Sequence, residues 1–539
     1  MKPSDLGMPK KFAHWNAYQE DAILKAVCSD RRFVMINAPT GVGKTAIAMG
    51  VMRLLGGRGL YLTMTKPLQT QLMTDFSSTG LVELKGQNNY ECIYFEGVET
   101  KLPGCDDGPC HAGIECTYKD GGCNYYDAVR RAARAELVVE NYIHWMTLNR
   151  FSEPDILGRF DVLILDEAHA TNDALSEFVQ VVLNRVEVRR LLHVELPSGA
   201  SMEEWVEWAL EEGLPRARAR IEAAKAQTAL HEQGISVVKA LSELEGNLTD
   251  LSNARSWKRT DAADPAVWTP GTSHDWVVDE NDDRIVFQPV WASGYAEDYL
   301  FDWIPKVILI SATVTPRDAT YLGITKSNFE YLEYPSPFHR DRRPFYVVPA
   351  AAVRYEMSDG EIKLWINKID QILEREAVDC KLKGIIHAVS YDRARLIKAR
   401  SKYGKMMIIH DRYNLRDTVE CFRASTGPAV LISPSVGTGY DFPGDECRFQ
   451  IIAKIPFLDQ RPLITRARTK LDKLYPMHVA LVSLIQMAGR GNRRKDDWCR
   501  TYLVDDSWRW FYRRTHKMIP KWFKSAIKRV DRLSEVPGW

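Results

Sequence analysis

The chain has 539 residues, with 72 Lys and Arg against 71 Asp and Glu, a formal net charge of +1 and 45% hydrophobic residues. The length gives room for about three or four domains of roughly 150 residues. The composition is that of a soluble globular protein, and near-neutral charge confines any nucleic-acid contact to local patches. No apolar run approaches the ~20 residues of a membrane span. Met1-Lys-Pro-Ser-Asp-Leu-Gly7 has no signal-peptide pattern, so a cytoplasmic location is expected, or a nuclear one in a eukaryote.

Residues 10–30 read as an amphipathic helix leading into a first strand, Phe33-Val-Met-Ile36. Then come Ala38-Pro-Thr-Gly-Val-Gly-Lys-Thr45 and a helix-like run, Ala46–Met52. A buried strand, a Gly-rich turn and a helix N-terminus form an anion cradle, because successive backbone N–H groups point at one spot. Thr40, Gly41, Val42 and Gly43 would wrap phosphate oxygens, the glycines because a Cβ there would intrude. Lys44 would reach the β- and γ-phosphates, and the Thr45 hydroxyl a Mg²⁺ position. A second strand, Gly59–Thr65, precedes Lys66-Pro-Leu-Gln-Thr-Gln-Leu72, where Thr65, Gln69 and Gln71 suit either a DNA backbone or helix caps and surface.

Of ten cysteines, Cys92, Cys105, Cys110, Cys116 and Cys123 cluster in a Gly-, Pro- and Asp-rich stretch with little apolar material for a core. Clustered thiols in a cytosolic chain point to metal rather than disulfides. Four thiolates can hold structural zinc or a [4Fe–4S] cluster. The gaps from Cys105 on, of four, five and six residues, lean toward iron–sulfur and away from paired zinc spacing. Five cysteines exceed four ligand places, so one of Cys105, Cys110 and Cys116 is left over.

Asp161-Val-Leu-Ile-Leu-Asp-Glu-Ala-His169 is an apolar strand that delivers Asp166 and Glu167 at its C-terminal end, where open α/β sheets place ligands. Asp166 suits Mg²⁺ through water, Glu167 suits orienting and deprotonating an attacking water, and His169 suits coupling to neighbouring motifs. From 170 to about 295, apolar residues recur at helical spacing between charges. This predicts a mostly helical insertion with a few strands around Trp276–Val278 and Arg284–Phe287. Lys306–Thr313 resumes the core. After Ser336-Pro-Phe338 a second α/β series begins, with strands expected at Gly384–Ser390, Met406–Ile409, Ala429–Ser433, Gln450–Lys454 and Thr501–Val504. In Gln486-Met-Ala-Gly-Arg-Gly-Asn-Arg493 the two arginines, Arg490 and Arg493, are expected one turn apart on a helix face. From there they would reach γ-phosphate charge as fingers; a basic helix on a phosphate backbone is the rival view. The aromatic and basic tail Trp508–Arg532 is expected to pack on this second unit, with base stacking as the alternative.

The set Ala38–Thr45, Asp166-Glu-Ala-His169, Ser311-Ala-Thr313 and Gln486-x-x-Gly-Arg-x-x-Arg493 resembles superfamily 2 helicases. Lys85-Gly-x-x-Asn-Tyr-x-Cys92, Cys123-x-Tyr-Tyr126, Val138-Val-x-Asn141, Ser336-Pro-Phe338 and Ile455-Pro-Phe457 narrow the resemblance to the XPD/DinG-like iron–sulfur branch. It implies an α/β fold with two RecA-like motors, the first carrying an iron–sulfur and a helical arch insertion. Motor one would comprise 1–84, 136–172 and 298–335, the iron–sulfur domain 85–135, the arch 173–297, and motor two 336–539. It further implies ATP and Mg²⁺ at Lys44, Thr45, Asp166 and Glu167, with Gln486, Arg490 and Arg493 completing the catalytic set. Single-stranded and forked duplex DNA would be the partners of a monomer translocating 5′→3′, with no membrane. Gln19 stands where many helicases read adenine, or is a helix-surface residue. Cys92 and Cys123 match the outer cluster ligands, and Cys110 and Cys116 are the expected inner pair. Two departures stand out: Thr438-Gly-Tyr-Asp441 lacks the family's Glu, and Asn16 replaces an Arg often found before Gln19. Two other readings are a translocase that strips proteins or R-loops from DNA, and a nucleic-acid-binding regulatory module with a zinc-stapled loop.

Overall fold

The computed structural model describes residues 1–537 apart from 98–100, 153–154, 228–231, 255–256, 260–267, 271–275, 438–439 and 494–495. Thr438 and Gly439 of the departing motif lie outside the described residues. Short apolar runs become strands wherever both faces can be covered. Five come first: β1 (Phe33–Asn37), β2 (Gly59–Thr63), β3 (Leu81–Glu83), β4 (Leu137–Asn141) and β5 (Val162–Asp166). The insertion adds β6 (Val181–Asn184), β7 (Trp257–Arg259), β8 (Trp268–Pro270), β9 (Trp276–Glu280) and β10 (Arg284–Pro289). Then β11 (Lys306–Ser311) and β12 (Phe329–Glu333) complete a seven-stranded sheet in the order β12-β1-β11-β5-β2-β4-β3, parallel throughout. Every residue of β1, β2 and β5 is buried, the mark of a parallel sheet covered on both faces.

The second unit repeats the plan. β13 (Phe345–Val347), β14 (Gly384–His387), β15 (Met407–Ile409), β16 (Val430–Ser433), β17 (Phe449–Ile452), β18 (Arg500–Leu503) and β19 (Ile527–Arg529) form a parallel sheet ordered β15-β16-β14-β17-β18-β13-β19. Two doubly wound parallel sheets are the two RecA-like motors expected. β3, β12, β13 and β19 were not among the strands expected from the sequence.

The N-terminal helix is shorter than predicted. α1 spans Gln19–Cys28, because Tyr18 takes a left-handed backbone (φ +72°) and residue 16 donates back to the Gln19 side chain. The insertion is mostly helical. Its longest helix, Glu232–Ser252, buries Ile235, Val238, Leu241, Leu244, Leu248 and Leu251, one stripe at three- and four-residue steps. The expected strands appear as β9 and β10, joined by β6 into a small antiparallel sheet.

Candidate active site

Three neighbouring strands of the first sheet end at one edge. Parallel register sets Asn37 of β1 beside Ser311 of β11, and Ile310 of β11 beside Asp166 of β5. The glycine loop, the Ser-Ala-Thr turn and the acidic pair therefore leave the sheet together. α2 (Lys44–Leu55) starts with Gly43 as N-cap and no capping side chain, so its first amides are left for an anion. Gly41 and Gly43 have φ of +85° and +83°, the left-handed region that glycine enters without strain. The Phe338 ring of the linker lies directly against Gly41, where an added Cβ would come within 2.5 Å of it.

Gln19 is neither on a helix surface nor open to a base. It is 3% exposed, its Nε2 donates to the Val42 carbonyl (2.7 Å) and its Oε1 accepts from the Asn16 amide (2.8 Å). It braces the outside of the glycine loop from α1. Asn37, buried at the end of β1, ties the loop's base to two other parts of the chain. It donates to the Val314 carbonyl (2.8 Å) beyond the Ser-Ala-Thr turn and accepts from Trp522 Nε1 (3.2 Å) in the tail. An amide closing an otherwise apolar strand was the sequence signal for it.

Asp166 accepts from the Tyr61 hydroxyl (3.0 Å) and from the Glu167 amide (2.9 Å). Burial first, then the Glu167 charge, pushes its carboxyl up to about 6. Glu167 holds a left-handed backbone (φ +50°, ψ 44°), a strain of about 1–3 kcal/mol of the kind found at functional sites. Its Oε1 lies 3.8 Å from Lys44 Nζ, and its Oε2 3.4 Å from His169 Nδ1 and 3.3 Å from the donating Ser311 hydroxyl. Burial pushes this carboxyl up, but Lys44, His169, Arg490 and Arg493 together outweigh it and hold it below the usual range. Burial lowers the His169 imidazole, against the Glu167 and Asp318 charges, which raise it.

The cleft between the motors is bridged by side chains. Gln486 Nε2 donates to Thr313 Oγ1 (3.1 Å), Arg490 Nη2 donates to Gln486 Oε1 (3.1 Å), and Thr313 Oγ1 lies 3.4 Å from Ser311 Oγ. An unbroken polar chain thus runs from Glu167 through Ser311, Thr313 and Gln486 to Arg490. The two arginines are not on a helix face. The helix Tyr475–Ala488 ends with Gly489 as C-cap, and both follow in the loop. Two glycines cause this: Gly489 caps the helix, and Gly491 presses on Cys499, where a Cβ would stand 2.5 Å from the sulfur. Arg490 Nη1 reaches Asp441 Oδ1 at 3.2 Å, and Arg493 pairs with the same oxygen. Asp441 was singled out only as part of a departing motif, and its pairing depends on the tertiary fold.

Of the candidate DNA contacts, Gln69 is interior: it is 1% exposed and donates to the Leu84 and Val139 carbonyls. Thr65 and Gln71 are exposed. In the tail, Trp508, Phe511, Trp522 and Phe523 are buried around Phe345 and Ile452 of motor two, while Trp510 stays 43% exposed.

In the cysteine loop Cys92, Cys105 and Cys123 are buried, and Cys110 and Cys116 half-buried. Cys105 lies within hydrogen-bonding reach of both Cys92 and Cys123, and Cys110 faces Cys116, Cys123 and Cys92. Among the described residues no group of three or more His, Cys, Asp or Glu is arranged as a ready-made single-ion site. The donor set, soft thiols gathered from five positions on one loop, does fit an iron–sulfur cluster or zinc.

Two family models match the chain: "Type III restriction enzyme, res subunit" over residues 12–194 and "Helicase C-terminal domain" over residues 385–526. The fold is similar to that of an XPD helicase (16% identity, 96% of this chain and 99% of the other, TM-score 0.60). It is also similar to an apo XPD (14%, 96% and 100%, TM-score 0.56) and to Xpd4 of S. tokodaii (14%, 96% and 100%, TM-score 0.55). No curated protein matches the chain. Among the described residues no helix is long and apolar enough to cross a membrane. A helicase C-terminal model on motor two, a restriction-enzyme res-subunit model on motor one and an XPD-type fold shared almost end to end support reading this chain as a superfamily 2 helicase with an XPD-like fold.

Proposed function

We propose that the protein is a monomeric, ATP-dependent DNA helicase that moves 5′→3′ on single-stranded DNA and opens forked duplex. The polar chain from Glu167 across the cleft to Arg490 is the observation that carries this reading, because it couples the hydrolytic carboxylate to the relative position of the motors. In this reading motor one is 1–84, 136–172 and 298–335, motor two is 336–539, and 85–135 and 173–297 are inserted domains.

Lys44 and the α2 amides hold the β- and γ-phosphates, and Thr45 and Asp166 would hold Mg²⁺, which neutralises phosphate charge when bound. Glu167, kept ionised by Lys44, accepts the proton of the attacking water at Oε1, the oxygen not hydrogen-bonded to Ser311. Arg490 and Arg493 exchange Asp441 for γ-phosphate charge as the cleft tightens, and Gln486 carries that movement to Thr313. Separating duplex costs about 1.4 kcal/mol of stacking per base-pair step, so each step needs the coupling that this chain of contacts provides. Cysteine thiolates in 85–135 would hold a [4Fe–4S] cluster, which staples a loop where strands part.

The test is ATP hydrolysis with and without single-stranded DNA, beside unwinding of 5′-tailed, 3′-tailed and RNA–DNA hybrid forks. DNA-stimulated hydrolysis with opening of 5′-tailed forks, both lost in Glu167→Gln, is the expected result. Stimulated hydrolysis with release of blocking proteins but no strand separation would replace the helicase with a translocase. Absence of hydrolysis would leave only a binding module.

A further inference from the structure

The cysteine loop has five sulfurs for four places, and its backbone discriminates among them. Residues 90–92 and 103–105 run antiparallel. Glu91 and Gly104 form a bridge, the Cys92 amide donates to the Pro103 carbonyl at 2.8 Å, and the Cys105 amide to the Tyr90 carbonyl at 2.8 Å. Side chains alternate across such a ribbon. Cys92 and Cys105, each one step beyond the bridged pair, therefore leave the same face. Gly108 closes over that face: an added Cβ would lie 2.8 Å from Cys92 Sγ and 3.2 Å from the Cys105 carbonyl. Cys123 joins them as the N-cap of the helix Asn124–Arg134, and all three are buried.

The remaining two thiols have different settings. Cys110 follows buried Gly108 and Pro109, of which Gly108 packs against Cys92 Sγ, and exposed His111 separates it from buried Ala112. Cys116 sits within a run where Glu115 and all of 117–122 are exposed. Burial of neighbouring backbone shields a bound cluster from solvent, and an exposed run does not.

We propose that Cys92, Cys105, Cys110 and Cys123 are the four thiolate ligands of the loop and that Cys116 is the free thiol. This rests on the iron–sulfur reading of the loop and replaces Cys116, expected from sequence as an inner ligand, with Cys105.

The experiment uses the full-length chain purified without oxygen. Iron, sulfide and the visible spectrum are measured for the wild type, Cys105→Ser and Cys116→Ser. In parallel, the untreated wild type is alkylated with iodoacetamide and its labelled cysteines are mapped by mass spectrometry. The expected result is a Cys116→Ser protein with the wild-type iron content and colour, a bleached Cys105→Ser, and labelling of Cys116 in the brown wild type. Cys92, Cys105, Cys110 and Cys123 would label only after the iron is removed. The labelling arm does not depend on any variant folding. Loss of iron in Cys116→Ser, or alkylation of Cys105 in the brown protein, would overturn the assignment while leaving the cluster in place. A wild type without iron would overturn the iron–sulfur reading itself, and the assignment with it.

Discussion

Single residues of the nucleotide site pay for function in strain and burial. Asp166 has its folded pKa raised above the ordinary 3.8. The stability it contributes is full below that ordinary value and is lost as pH rises through about 6. Asp166→Asn removes the ionisation, so thermal unfolding without Mg²⁺ should show the variant gaining on the wild type as pH rises from about 4 to about 6 and levelling off above that, by on the order of 3 kcal/mol in all. A gap that stays flat with pH would refute the raised pKa. Glu167→Gln should lower hydrolysis by about 10²–10⁴-fold while nucleotide binding, followed by fluorescence titration, stays near wild type. Gly43→Ala is strained by its φ of +83° and brings a methyl within 2.4 Å of Gln19 Nε2. It should weaken nucleotide binding by about tenfold or more, some 1.4 kcal/mol, and Gln19→Ala should recover part of the loss in the double variant. Lys44, Thr45, Asp166 and Glu167 were legible in the sequence because their spacing is local. The burial of Gln19 and the pairing of Asp441 were not, since each depends on a partner at least 20 residues away that only the folded sheets bring close.

Elements show a similar division. Strand cores were readable from apolar runs, whereas their ends and the two arginines after Ala488 were not, because helix termination is settled by glycine and by packing on Cys499. The helix Pro316–Tyr321 of motor one is capped by Asp318, whose Oδ2 accepts from the Thr315 amide at 2.7 Å. The other oxygen of Asp318 meets His478 Nε2 of motor two at 2.9 Å in a buried setting. Asp318→Ala removes a cap and leaves a buried imidazole nitrogen without this partner, so a loss of about 2–4 kcal/mol is expected in denaturant unfolding. A loss below 0.5 kcal/mol would show that the contact is not maintained in solution. Trp522→Phe gives up the hydrogen bond to Asn37 and part of a buried indole, so stability should fall by about 1–3 kcal/mol.

At the scale of the whole molecule, the motors meet through an aromatic group as well as through the nucleotide cleft. Trp291, at the end of the insertion, stacks on Tyr321 of motor one with centroids 4.5 Å apart and packs edge-on to Tyr475 of motor two at 5.3 Å. The insertion is thus not a loose appendage: it returns to the main body at the joint between the motors. The overall plan of two motors and two insertions was legible from motif order, while this joint was hidden because its three aromatics are spread over residues 291–475. The position of β11 has a further consequence for how the chain is made. It lies between β1 and β5, yet it is synthesised about 140 residues after β5, once the insertion has emerged. Both strands that pair with β1, β11 and β12, come after the insertion, so until then β1 has no partner strand and one edge of β5 is open. A nascent chain released before Lys306 therefore exposes apolar strand edges that can pair with other chains.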